Sequence, residues 1–317
     1  MNIATTSTSG AEARTSSTPE FLSFGPVHLD VVDRDRSLAW WRDVVGLHDV
    51  ADHAETLELG AGGEPLIVLR PTATSPVRRG YSGLYHLAIN LPDEPAFAQL
   101  LARLMATGAR HSTTDHVVAK SIYLADPDGI GLELTVELVD RVKSISWRET
   151  EQHPEIIDVD GRRREGLEPL DVEAVLAKLP AGELPRSLPT GTRVGHVHLK
   201  VPELAAAFAF YRDQLGLIPN NYVPVIGYGD LGTGDHRVHR VAVNTWTGVG
   251  LPPRPPQMAG MDHYTVRFES PARLDETVGR LGHVEERDGV YLARDTAGNT
   301  IALEAPGRDS ARGADAR

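Results

Sequence analysis

The feature that most limits what this chain can fold into is a unit that recurs four times with little identity between copies. Each copy opens on a short alternating strand, continues into an amphipathic helix and closes on further short strands joined by Gly-containing turns. Unit one runs from Phe24 to about Arg70, with the strand PVHLDVV, the helix DRSLAWWRDVVGL and the strands ETLELG and PLIVLRP. Unit two, Gly83 to Leu138, holds LYHLAIN, EPAFAQLLARLMATGA and KSIYLADPDGIGLELTVEL. Unit three, Arg193 to about Thr247, holds GHVHLKV, ELAAAFAFYRDQLGL and HRVHRVAVNTW. Unit four, Gly260 to Ala305, holds MDHYTVRF, ARLDETVGRLG and GVYLARDTAGNTIALEA. Units one and three match closely, and in both a glycine (Gly46, Gly216) suits the helix C-terminal cap. A unit of this size cannot bury a core alone, so the units must pack on one another. The pattern predicts an α+β fold.

With 317 residues the chain can form two ordinary domains with substantial cores. Its formal net charge of -12 argues against phosphate-backbone binding, which needs a basic face. There is no cysteine, so disulfides, thiolate metal sites and cysteine nucleophiles are excluded. Any metal must be held by His, Asp or Glu. No apolar run reaches the length of a membrane span. The first residues are rich in Ser, Thr and Ala and lack the apolar core of a secretory signal. We expect disordered tails over residues 1–22 and 307–317, an N-terminal domain of units one and two over 23–140, and a C-terminal domain of units three and four over 192–306. The polar stretch 141–191 reads as a linker with one short helix, LDVEAVLAKL. A cytoplasmic protein is the expectation.

Three local motifs, GHVHLKV followed by FYRDQLGL, YHLAIN, and DPDGIGLEL, resemble the vicinal oxygen chelate superfamily of glyoxalases, bleomycin-resistance proteins and extradiol dioxygenases. The linker helix EPLDVEAVLAKL and the strand VNTW are similar to its two-domain catechol 2,3-dioxygenase branch. The resemblance covers nearly everything from Phe24 to Pro306. It implies four βαβββ units paired into two half-open barrels. It also implies a metal held by a His from the first strand of one unit, and by a first-strand His and a last-strand Glu from its partner. Such a 2-His-1-carboxylate face suits non-haem Fe(II), with Mn(II) as the alternative, and leaves room for a small aromatic diol and dioxygen.

The first-strand positions offer His86 in unit two, His196 in unit three and His263 in unit four, while unit one has Pro26 in register with His196. His28 and His198 fall two residues on and read either as pocket-lining or as core residues. For the carboxylate, Glu133 lies four residues after the turn glycine Gly129, whereas the same step from Gly298 reaches Ala302. Glu304, two residues beyond, would need a shift of about 6–7 Å along the strand. The reading therefore favours His86, Glu133 and His196, which pairs units two and three across the linker. The alternative set is His196, His263 and Glu304, which pairs units three and four. Strand alternation alone leaves open whether the face carrying Glu133 meets solvent or a pocket.

The resemblance further implies three residues that handle protons or touch the diol: His239 in VHRVAV, Tyr123 ten residues before Glu133, and His116, at a shorter spacing than the family's. Trp246 and Tyr228, with His198, are candidates for the ring pocket. The implied activity is extradiol cleavage of a catecholic ring by a homo-oligomer, dimer or tetramer. Another metal-dependent member of the superfamily (hydroquinone dioxygenase, isomerase or lyase) or a metal-free binder of aromatic compounds are the alternatives.

Overall fold

The computed structural model describes residues 20–147, 154–287 and 289–307. The repeat shapes the whole architecture: two eight-stranded mixed sheets, each made of two units, and a separate sheet of three short strands. The sheets follow neither sequential half of the chain. Units two and three share one sheet, with their first strands, Gly83–Asn90 and Arg193–Lys200, antiparallel at its centre. Units one and four share the other, in which Leu22–Asp30 and Gly260–Phe268 are the central pair. Each curls into a half-open barrel with helices outside, the α+β arrangement expected.

Within each unit the two faces of the first strand have different fates. In Gly83–Asn90, Leu87 and Ile89 join the main core together with Phe97 and Leu101 of helix Glu94–Thr107, while His86 and Ala88 take the opposite face. That helix starts where Asp93 accepts the Ala96 N–H at 2.8 Å and stops at Gly108 in the left-handed region. The helices of units one and three, Arg34–Trp40 and Leu204–Ala209, each run on into a five-residue π-helical turn before Gly46 and Gly216, which both have positive φ.

Two boundaries differ from expectation. Phe21 is buried and Leu22 opens a strand, so residues 20–22 belong to the fold; Gly307 closes a turn, and the remainder of both expected tails lies outside the described residues. The linker holds more than its short helix, Val172–Leu176: strands Val142–Ser146, Glu155–Asp158 and Arg163–Arg164 form the third sheet. Val117, Val142 and Ile156 give it a small core of its own. Among the described residues no helix is long and apolar enough to cross a membrane.

Candidate metal centre

Ala88 is the floor of the site. His196 on the antiparallel neighbour and Glu133 on the parallel neighbour, Gly131–Glu137, both stand in register with it, and His86 lies two residues back on the same face. An alanine there leaves an open space into which three longer side chains reach. A register shift at Gly195, one residue before His196, sets this alignment. A β-carbon on Gly195 would overlap the Asn90 amide, so any larger residue at the bulge must displace that side chain.

The three side chains converge closely. His86 Nε2 lies 2.9 Å from Glu133 Oε2, His196 Nε2 lies 3.2 Å from the same oxygen, and the two imidazole nitrogens are 3.2 Å apart. A metal bonded at right angles to three donors at about 2.1 Å holds them about 3.0 Å from one another, so the set fits one face of an octahedral ion. All three residues are buried. Burial would raise the Glu133 carboxyl, but His196 and His86 beside it hold it well below the usual carboxylate range. Burial, followed by His239, lowers the His196 imidazole to about 3. An anionic carboxylate beside a neutral imidazole is the protonation state that metal ligation requires. Ser121 Oγ donates to Glu133 Oε1 at 2.6 Å, leaving Oε2 turned toward the histidines.

The other residues singled out from sequence surround this triad. Tyr123 pairs with Glu133 across adjacent strands, and burial, reinforced by the Glu133 charge, pushes its hydroxyl well above the usual phenol range. His116 Nδ1 meets the Gly166 carbonyl at 2.8 Å and its Nε2 meets the Tyr123 hydroxyl at 2.8 Å. A carbonyl can only accept, so Nδ1 carries a proton, and in the neutral ring Nε2 is the acceptor that faces the Tyr123 hydroxyl. The His239 ring lies 4.3 Å from that of His196, and burial lowers its pKa. Asn244 oxygen takes the Trp246 N–H at 3.1 Å, which turns its amide nitrogen to donate to His198 Nε2 at 2.8 Å. Burial, then His86, holds His198 well below the usual imidazole range. Trp246 stacks on Tyr228 at 5.8 Å, and Tyr85 packs on its edge at 5.6 Å. All these residues except Ser121 and Asn244 line one cavity of about 690 Å³.

The alternative metal set is not brought together. His196 lies in the sheet of units two and three, whereas His263 and Glu304 lie in the other. Within that second sheet the site is dismantled residue by residue. Val27 and Tyr264 pair as Val197 and Leu87 do, which puts Pro26 in the place of His196. Ala302 pairs with Thr265 as Glu133 does with Ala88. His263 is bonded to Asp262 at 2.7 Å, and His28 stacks on its ring at 3.8 Å, away from the cavity. Glu304 stands four residues beyond the partner of His263 and pairs with Arg267 at 2.6 Å. Among the described residues, His86, Glu133 and His196 form the one cluster able to hold a metal.

Ser121, Asn244, Tyr85 and the linker wall went unread in the sequence. Ser121 sits two residues before Tyr123 on one strand face, so period-two spacing could have found it. Ile145, Trp147, Ile156 and Leu167 line the cavity from a stretch whose polar composition carries no such signal.

Residues 26–135 match the family model of a glyoxalase-like domain. The chain is 32% identical over 279 residues to a catechol-2,3-dioxygenase of Bacillus subtilis (strain 168), covering 86% of this chain and 93% of that protein. A solved structure from Bacillus subtilis subsp. subtilis str. 168 superimposes with a TM-score of 0.54 at 14% identity, over 92% of this chain and 87% of the other. A glyoxalase I variant from Zea mays gives 0.52 at 15% identity, over 91% and 95%. At those identities the solved structures speak for the fold, and the curated relative for the lineage. This chain belongs to the vicinal oxygen chelate superfamily, in its two-domain catechol 2,3-dioxygenase-like branch.

Proposed function

We propose that the protein is an extradiol dioxygenase that opens a catecholic ring beside the diol. The observation that carries this reading is the company the metal face keeps: a Tyr–His pair, a further neutral imidazole and an aromatic wall all open on the same cavity. His86, Glu133 and His196 would hold Fe(II), with Mn(II) as the alternative. Bound there, such an ion would supply Lewis acidity toward the diol and dioxygen.

The chain's own residues then have definite tasks. A Tyr123 hydroxyl that donates to His116 Nε2 keeps oxygen lone pairs with which to accept a hydrogen bond from a diol hydroxyl. His239 is kept neutral by burial and lies against His196, where it can take up a proton and return it. Trp246, Tyr228 and Tyr85 present ring faces and edges that orient an aromatic substrate. A protein that only sequesters an aromatic compound needs neither His239 nor the Tyr123–His116 pair.

Metal analysis combined with oxygen uptake over a panel of catechols tests the reading. We expect iron or manganese in the protein, oxygen consumption with at least one catechol, and a yellow ring-opened product. His239→Ala should keep the metal and lose roughly 10²-fold or more in turnover. Metal without uptake on any catechol would move the protein to an isomerase, lyase or hydroquinone-cleaving role; absence of metal would favour a binding protein.

A further inference from the structure

The linker does something its position between repeats does not require. Val117 has φ of 68°, the only positive value at a non-glycine among the described residues. Its neighbours close a three-residue turn, the Val118 N–H donating to the His116 carbonyl at 2.8 Å. This hand of γ-turn is strained, more so for a β-branched residue, and persists only where surroundings enforce it.

What enforces it is the linker. Val117 is fully buried and forms a small core with Val142 and Ile156 of the three-stranded sheet. Two residues earlier, Asp115 exchanges two backbone hydrogen bonds with Glu168, at 2.9 and 3.0 Å. Its carboxylate takes the Val117 N–H at 2.7 Å and a two-pronged contact from Arg141 at 3.0 and 3.1 Å. Between these two anchors stands His116, whose Nδ1 is claimed by the linker carbonyl of Gly166. Three consecutive residues therefore bind the linker three ways, and the middle one bonds Tyr123.

We infer that the linker is a strap that positions His116. Packing of residues 142–147 and 154–168 onto the edge of the sheet and selection of the Nδ1–H form of His116 are one event, and that event presents His116 Nε2 as the acceptor for the Tyr123 hydroxyl. Val117, Val142 and the Asp115–Arg141 pair are positioning residues, acting through His116. The significance for turnover rests on the dioxygenase reading; the structural coupling does not.

Val142 faces the small core and does not line the cavity, so Val142→Ala loosens the strap without touching substrate space. In the metal-loaded full chain, this variant should retain its metal and speed hydrogen exchange at the Glu168 amide. Nitrogen NMR of histidine-labelled protein should show His116 losing its single Nδ1–H form. With a catechol that the parent turns over, kcat should drop about tenfold, with KM little changed. Combined with His116→Ala, Val142→Ala should add nothing further. Arg141→Gln, which frees Asp115 instead, should reproduce the pattern and replaces Val142→Ala should that chain not fold. Faster Glu168 exchange with an unchanged His116 signal, or kcat losses that multiply, would overturn the inference. If the parent cleaves no catechol, the functional reading fails while the exchange and NMR measurements still decide the strap.

Discussion

Ser121 decides which Glu133 oxygen is left for a cation, because its hydroxyl occupies Oε1 at 2.6 Å. Ser121→Ala should keep the fold and weaken metal affinity by about 10–100-fold, measured by titration with a competing chelator. His28 makes a separate statement at this scale. Burial, then His263, lowers it from 6.5 to about 3. As pH falls through that window the unfolded chain takes up the proton first, so stability present above 6.5 is lost on approaching 3. The urea midpoint of the metal-free protein should fall across that range, and His28→Gln should flatten the fall. Individual residues were legible where spacing and the family resemblance agree, as for Glu133 four residues after Gly129 and Tyr123 ten before Glu133. His116 was harder to read: its ring is placed by Gly166, fifty residues away.

Among the elements, the paired first strands carry the site, and His86 and His196 were legible through the family resemblance and their joint register with Glu133, since alternation alone left pocket and solvent open. The bulge at Gly195 could not be read the same way, since alternation assumes regular pairing and a bulge depends on the neighbouring strand. Gly195→Ala should cost about 1–3 kcal/mol in denaturant unfolding, because the added methyl meets Asn90. It should also weaken metal binding by shifting His196 from its register with Ala88. The π-helical turns before Gly46 and Gly216 were equally invisible, because both segments have ordinary helical spacing. The three linker strands were missed because their apolar residues are few and their shared core holds only Val117, Val142 and Ile156.

For the molecule as a whole, the consequential fact is that each sheet takes one unit from either side of the linker. The repeat pattern made the units legible, and Pro26 and Ala302 marked the outer pair as lacking ligands. Which units share a sheet is a tertiary choice that local sequence expresses only through those missing ligands. The result, among the described residues, is one candidate metal site in the middle of the chain and a related sheet whose corresponding place is held by His263, Asp262 and a stacked His28. The most direct test compares metal stoichiometry in Glu133→Ala and Glu304→Ala, each beside the parent protein under identical loading. A centre built on His86, Glu133 and His196 requires that Glu304→Ala bind a full equivalent and that Glu133→Ala bind essentially none. Metal retained in Glu133→Ala and lost in Glu304→Ala would contradict it.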